Sequence, residues 1–149
     1  MYGGCGVQKE RRNENYRGMN NMYLIDTDTL VFLGRGKVSI QEKMNLAGLS
    51  HCFLSEISMA ELYVGMYKRA EKESFIVFLE ENFKALPIGP SIKTFAKTRA
   101  SLEKNGICLE DFDILIAATA LDNDYTLVTH NIRHFSRIPG LKLEDWVQD

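Results

Sequence analysis

The feature that most limits the folds open to this chain is a set of very short apolar runs that stop at polar or acidic residues. Met22-Tyr-Leu-Ile25 is followed at once by Asp26. A continuous apolar run of this length, without alternation, suits a strand buried on both faces, as in a parallel sheet. His51-Cys-Phe-Leu-Ser55 and Tyr125-Thr-Leu-Val-Thr129 are of the same kind, and Leu141-Lys-Leu143 is a fourth candidate. The stretches between them read as helices. Asp28 or Thr29 suits the cap of a helix bearing Leu30, Val31 and Leu33, which Gly34 and Gly36 would end. Further helices are predicted over about residues 38–49, 59–69, 72–86 and 91–104, with a last one opened by Asp111 or Asp113 and running through Leu121. In 72–86, Phe75, Ile76, Leu79 and Phe83 share a face, and Pro87 ends the pattern. Strands separated by helices predict an α/β fold whose parallel sheet is covered on both faces.

Length and composition agree with one domain. The chain has 149 residues, 45% hydrophobic and 26% charged, enough for a proper core. A net charge of −2 argues against broad electrostatic wrapping of duplex DNA and leaves room for a local basic rim. The three cysteines, Cys5, Cys52 and Cys108, are scattered and form no C-x-x-C pair, so neither a disulfide framework nor a zinc knuckle is suggested, and a reducing cytoplasm fits. No apolar run approaches the roughly 20 residues of a membrane span, and no secretion signal is visible. Residues 1–21 are rich in Gly, Asn and basic residues with almost nothing apolar to pack, and are expected to be a disordered leader. The folded domain is expected over residues 22–149, with Met22 a candidate biological start.

In an open parallel sheet, ligands gather outside the carboxyl ends of the strands, where loops and helix starts converge. Asp26 ends the first strand, and Asn131 lies just beyond the third. Glu61 is expected in the first turn of the helix after the second strand, and Asp113 in the first turn of the helix before the third. Each has an ordinary structural reading too. Asp26 suits a turn, Ser58-x-x-Glu61 matches a capping box, Asp113 suits the positive end of a helix, and Asn131 suits a turn. A functional site requires their convergence. Clustered carboxylates repel one another unless a cation neutralises them, and all-oxygen donors select Mg2+ or Mn2+. Such an ion supports phosphodiester hydrolysis without a side-chain nucleophile.

At these residues the chain resembles the PIN-domain family and, within it, the VapC toxins of toxin–antitoxin pairs. The resemblance runs from Met22 to the end of the chain, through MYLIDTDTL, ISMAELYVG and GICLEDFDILIAATALDNDYTLVTHNIRHFSRIPGLKLEDW. It implies a three-layer α/β/α sandwich with a short, mostly parallel central sheet. It places metal-binding carboxylates at Asp26, Glu61 and Asp113, a further site residue at Asn131 and a small hydroxyl residue at Thr129. His134 departs from the pattern, because relatives often carry an acid there; Asp28 and Asp111 are acids that would compensate. The resemblance further implies a magnesium-dependent endoribonuclease attacking a cellular RNA, often a transfer RNA, and leaving a 3′ hydroxyl and a 5′ phosphate. It implies a homodimer silenced by a small antitoxin protein whose tail occupies the active-site groove.

Three other readings stand beside this one. A catalytically weak or inactive PIN-like module that binds RNA or a partner is suggested by His134. The D-x-D of Asp26 and Asp28 resembles the nucleophile loop of haloacid-dehalogenase-like phosphatases, though the chain is short for that fold. His130-x-x-x-His134 mimics a zinc pair without a third soft ligand nearby. Lys93 with Lys97, and Arg133 with Arg137, form basic pairs that suit either RNA phosphates or plain solvated surface.

Overall fold

The computed structural model describes residues 21–148, so the leader expected over residues 1–21 lies, Asn21 apart, outside the described residues. Five strands form one sheet: β1 (Tyr23–Ile25), β2 (Cys52–Ser55), β3 (Lys84–Leu86), β4 (Thr126–Val128) and β5 (Leu143–Glu144). Their order is β3-β2-β1-β4-β5, and every pairing is parallel. Tyr23 lies opposite Thr126 and Ile25 opposite Val128, while Leu24 faces Phe53 on the other side. The seven α-helices among the described residues are α1 (Thr27–Gly34), α2 (Val38–Ala47), α3 (Glu56–Tyr67), α4 (Glu73–Asn82), α5 (Ile92–Lys104), α6 (Asp111–Asn123) and α7 (Ile132–Phe135).

Successive side chains of a strand point to opposite faces, so a sheet covered on both sides splits its strand residues between two cores. Tyr23 and Ile25 belong to one core, with Leu30, Met44, Leu62, Leu79 and Trp146. Leu24 belongs to the other, with Leu102, Ile114, Ala117 and Phe135. The expected α/β/α sandwich is therefore present. Trp146 closes the first core against Tyr23, ring centroids 5.0 Å apart.

Several expected boundaries are corrected. The helix predicted over 72–86 stops at Asn82; Phe83 turns extended, and Lys84–Leu86 becomes β3 on the edge of β2. Lys, Ala and Leu carry little strand preference, so pairing with the open edge of β2 outweighs local propensity there. The helix expected from residue 59 begins at Glu56, capped by Ser55, whose hydroxyl accepts from the Ile57 N–H at 3.1 Å. Glu61 thus sits in the second turn, not the first, and Ser58 is not a cap. The helix after β1 is capped by Asp26 itself, rather than by Asp28 or Thr29. Helix α2 stops at Ala47 because Gly48 adopts a φ of 90°, a conformation costly for any other residue. The segment after Asn131, read as a turn, contains α7, and the last strand is shifted to Leu143–Glu144.

Candidate active site

The site forms where β1 and β4 end side by side. Asp26 follows β1 directly, and its backbone N–H donates to the Val128 carbonyl at 2.8 Å, so its main chain is held in the sheet. Its side chain is 4% exposed. Oδ1 accepts from the Thr27 N–H at 2.9 Å and Oδ2 from the Thr129 hydroxyl at 2.8 Å. Thr129 Oγ1 in turn accepts from the Asn131 N–H at 3.0 Å, which ties the loop after β4 to the carboxylate.

Glu61 reaches the same place from α3. Its Oε1 accepts from the Thr27 hydroxyl at 2.7 Å, and Thr27 Oγ1 lies 2.9 Å from the Ser58 hydroxyl. A hydroxyl has a single proton, so Thr27 donates to Glu61 and accepts from Ser58. The capping-box reading of Ser58 and Glu61 is thereby excluded: both side chains turn to Thr27. Asp113 stands in the first turn of α6, and its Oδ2 lies 2.9 Å from His134 Nε2. On the far side of the imidazole, Arg137 Nη2 lies 3.0 Å from Nδ1. A guanidinium only donates, so Nδ1 accepts and the ring proton sits on Nε2, pointed at Asp113.

Burial is the main cause that pushes the Asp26 carboxyl up to about 7. The bonds from Thr129 and Thr27 work the other way, and the nearby charges of Asp28 and Asp113 add to the rise. Glu61 is raised above the usual carboxylate range by burial first, then by Asp113, Asp28 and Glu110, against the Thr27 bond. Asp113 is raised by burial as well, with Glu110 and Asp28 adding and the bond from His134 opposing. Asp26, Glu61 and Asp113 therefore sense one another or share acidic neighbours, as a site awaiting positive charge would.

Among the described residues no three His, Cys, Asp or Glu side chains are grouped to hold a metal ion as they stand. Their chemistry nevertheless fits a hard cation. Every donor is oxygen, and among the described residues Glu61 Oε2 and Asp113 Oδ1 have no hydrogen-bond partner. Asp28 is exposed beside them, whereas Asp111 is drawn off to Arg99 at 3.3 Å. The zinc pair does not form: His130 turns to Asp145 at 3.0 Å and His134 to Asp113. Sequence reasoning missed Thr27, which links Glu61 to Ser58, and Glu110, which adds charge beside Glu61 and Asp113. The position of Thr27 directly after Asp26 was the available signal; nothing in the pattern marked Glu110.

The family model of the PIN domain matches residues 23–141. This chain belongs to the PIN-domain family. The PIN-domain relatives include "Ribonuclease VapC1" of Rickettsia felis, 34% identical over 127 residues that span 80% of this chain and 92% of that protein. The "tRNA(fMet)-specific endonuclease VapC" of Salmonella typhimurium is 32% identical over 130 residues, spanning 83% of this chain and 97% of the relative. Among solved structures, DNA-bound VapBC from Salmonella typhimurium superposes with a TM-score of 0.76 at 30% identity, over 85% of this chain and 98% of that one. Membership of the PIN-domain family removes the ground for the phosphatase reading.

Proposed function

We propose that this chain is a VapC-type toxin: an endoribonuclease that hydrolyses phosphodiester bonds of a cellular RNA with Mg2+, or Mn2+ in its place. The observation that carries the reading is the convergence of Asp26, Glu61 and Asp113 at the carboxyl ends of β1 and β4, in surroundings that raise all three carboxyls. The relatives named as VapC ribonucleases support it. Asp26 and Asp113 would hold the ion, with Glu61 bearing on it or on the water beside it. Bound there, the ion would polarise the phosphodiester and lower the pKa of a bound water. Glu61 Oε2, which has no hydrogen-bond partner among the described residues, would take the proton from the attacking water. Water would add to phosphorus as the P–O3′ bond breaks, and the leaving 3′ oxygen would take a proton from solvent water, giving a 3′ hydroxyl and a 5′ phosphate. Thr129 and Thr27 fix the carboxylates, and Asn131 offers its amide to the strand at the cleft.

A transfer RNA is the substrate class to test first, by analogy with the Salmonella relative. The partners proposed are a small antitoxin protein, as in the VapBC complexes, and a second copy of this chain in a homodimer. No helix among the described residues is long and apolar enough to cross a membrane.

The test is RNA cleavage against Mg2+ or Mn2+ concentration for the wild type, Asp26→Asn, Glu61→Gln and Asp113→Asn, with circular dichroism as the folding control. Asp113→Asn keeps the shape and removes charge, so cleavage should fall by orders of magnitude in a folded protein. Undiminished metal-dependent cleavage by that variant would remove Asp113 from the site. A wild type that cuts no RNA and binds Mg2+ no better than Asp26→Asn would make the chain a binding module instead.

A further inference from the structure

We propose that the cleft on α7 lined by Asn131, Arg133, His134 and Arg137 seats a phosphodiester of the RNA strand next to the one that is cut, gripped by Arg133 and Arg137. The inference rests on the nuclease reading above. The cleft encloses about 360 Å³ and the residues lining it bring two guanidiniums, an imidazole and an amide, with no carboxylate. Among the described residues neither arginine forms an ion pair, although the chain has 20 acidic residues against 18 basic ones. Both arginines are exposed.

Arg137 is also held in place. Its Nε donates to the His134 carbonyl at 3.2 Å and its Nη2 to His134 Nδ1 at 3.0 Å, which fixes the guanidinium plane and leaves its other N–H groups to bind a ligand. A planar donor group fixed in advance matches the paired oxygens of a phosphate and loses little entropy on binding. His134 is the shared wall, with Nδ1 toward Arg137 and Nε2 toward Asp113 at 2.9 Å. A strand crossing the carboxylates therefore runs directly onto the arginines. No apolar residue is among the four that line the cleft, and what they present at their tips is donors and positive charge, which a phosphate needs and which favours the RNA backbone over an apolar protein segment.

The probe is a fluorescein-labelled single-stranded RNA of mixed sequence. Its binding to the full chain is followed by anisotropy in EDTA over a range of salt concentrations. Loss of one phosphate contact in Arg133→Ala/Arg137→Ala should lower the slope of log affinity against log salt by about 0.7, with affinity weakened roughly tenfold at low salt. In the cleavage assay the same variant should raise KM more than it lowers kcat, because a flanking contact is made equally in ground and transition states. Asp113→Asn separates the two ideas, since it tests cleavage while keeping the arginines. If that variant still cuts but the arginine variant loses the salt slope, the catalytic reading fails and the subsite stands. An unaltered slope and affinity in the folded double variant would overturn the subsite. So would a loss of kcat at constant KM, which would make the arginines supports for Asp113 through His134. Displacement of an acidic peptide, with RNA binding unaffected, would assign the cleft to a protein partner and equally overturn it.

Discussion

Asp26→Asn should make the metal-free protein more stable, by an amount that depends on pH. The carboxyl titrates at about 7 in the fold, against about 3.9 when unfolded, a gap worth about 4 kcal/mol. The sign follows from proton counts. Between those two values the folded chain retains a proton that the unfolded chain has released, so stability falls as pH rises, and the cost is complete above about 7. Asparagine carries no charge and escapes this cost. It still accepts from the Thr27 N–H, but its amide nitrogen cannot accept from the Thr129 hydroxyl, a loss of about 1 kcal/mol. The net gain is then about 3 kcal/mol at pH 8 and less than about 1 kcal/mol at pH 5. Urea denaturation of both proteins in EDTA at the two pH values measures it. A stability difference that is the same at pH 5 and pH 8 would refute the argument, because burial of the charge would then not be its origin.

Two further outcomes are expected. Thr27→Val removes the hydroxyl that donates to Glu61 and leaves the buried Ser58 hydroxyl without its acceptor, costing about 1–3 kcal/mol; it also removes an interaction that lowers the Glu61 pKa, so the acidic limb of a kcat/KM–pH profile should move to higher pH. Gly34→Ala should destabilise by about 1–2 kcal/mol in urea, since an added Cβ would sit 2.7 Å from a Phe75 ring carbon, and Phe75→Leu in the same chain should recover part of the loss.

The sheet was legible because β1, β2 and β4 lie in the middle of the molecule and are largely buried, so their runs are mostly apolar without the alternation of a half-exposed strand. Edge strand β3 hid because its residues follow a helical apolar pattern and pair only once β2 lies beside them. Among the acids, Asp26 and Asp113 stand where strand end and helix start place them. Glu61 was obscured by Ser58, whose spacing imitates a cap, since the helix is capped one turn earlier, by Ser55. His134 read as a gap in the acidic set. In three dimensions it is a link between Asp113 and Arg137, a relation between side chains that spacing along the chain does not carry.

The position of β1 in the middle of the sheet has a consequence for synthesis. Strand β1 comes early in the described chain, yet one of its two neighbours is β4, and the bond from Thr129 to Asp26 spans 103 residues. Pairings so distant in sequence form late and at high loop-closure cost. In a chain emerging from the ribosome Asp26 therefore has neither Thr129 nor Asp113 beside it until the segment bearing α6 and β4 has been made. On the nuclease reading, the three carboxylates can meet only after α6 and β4 have been made, so assembly of the site is tied to near-completion of the described chain.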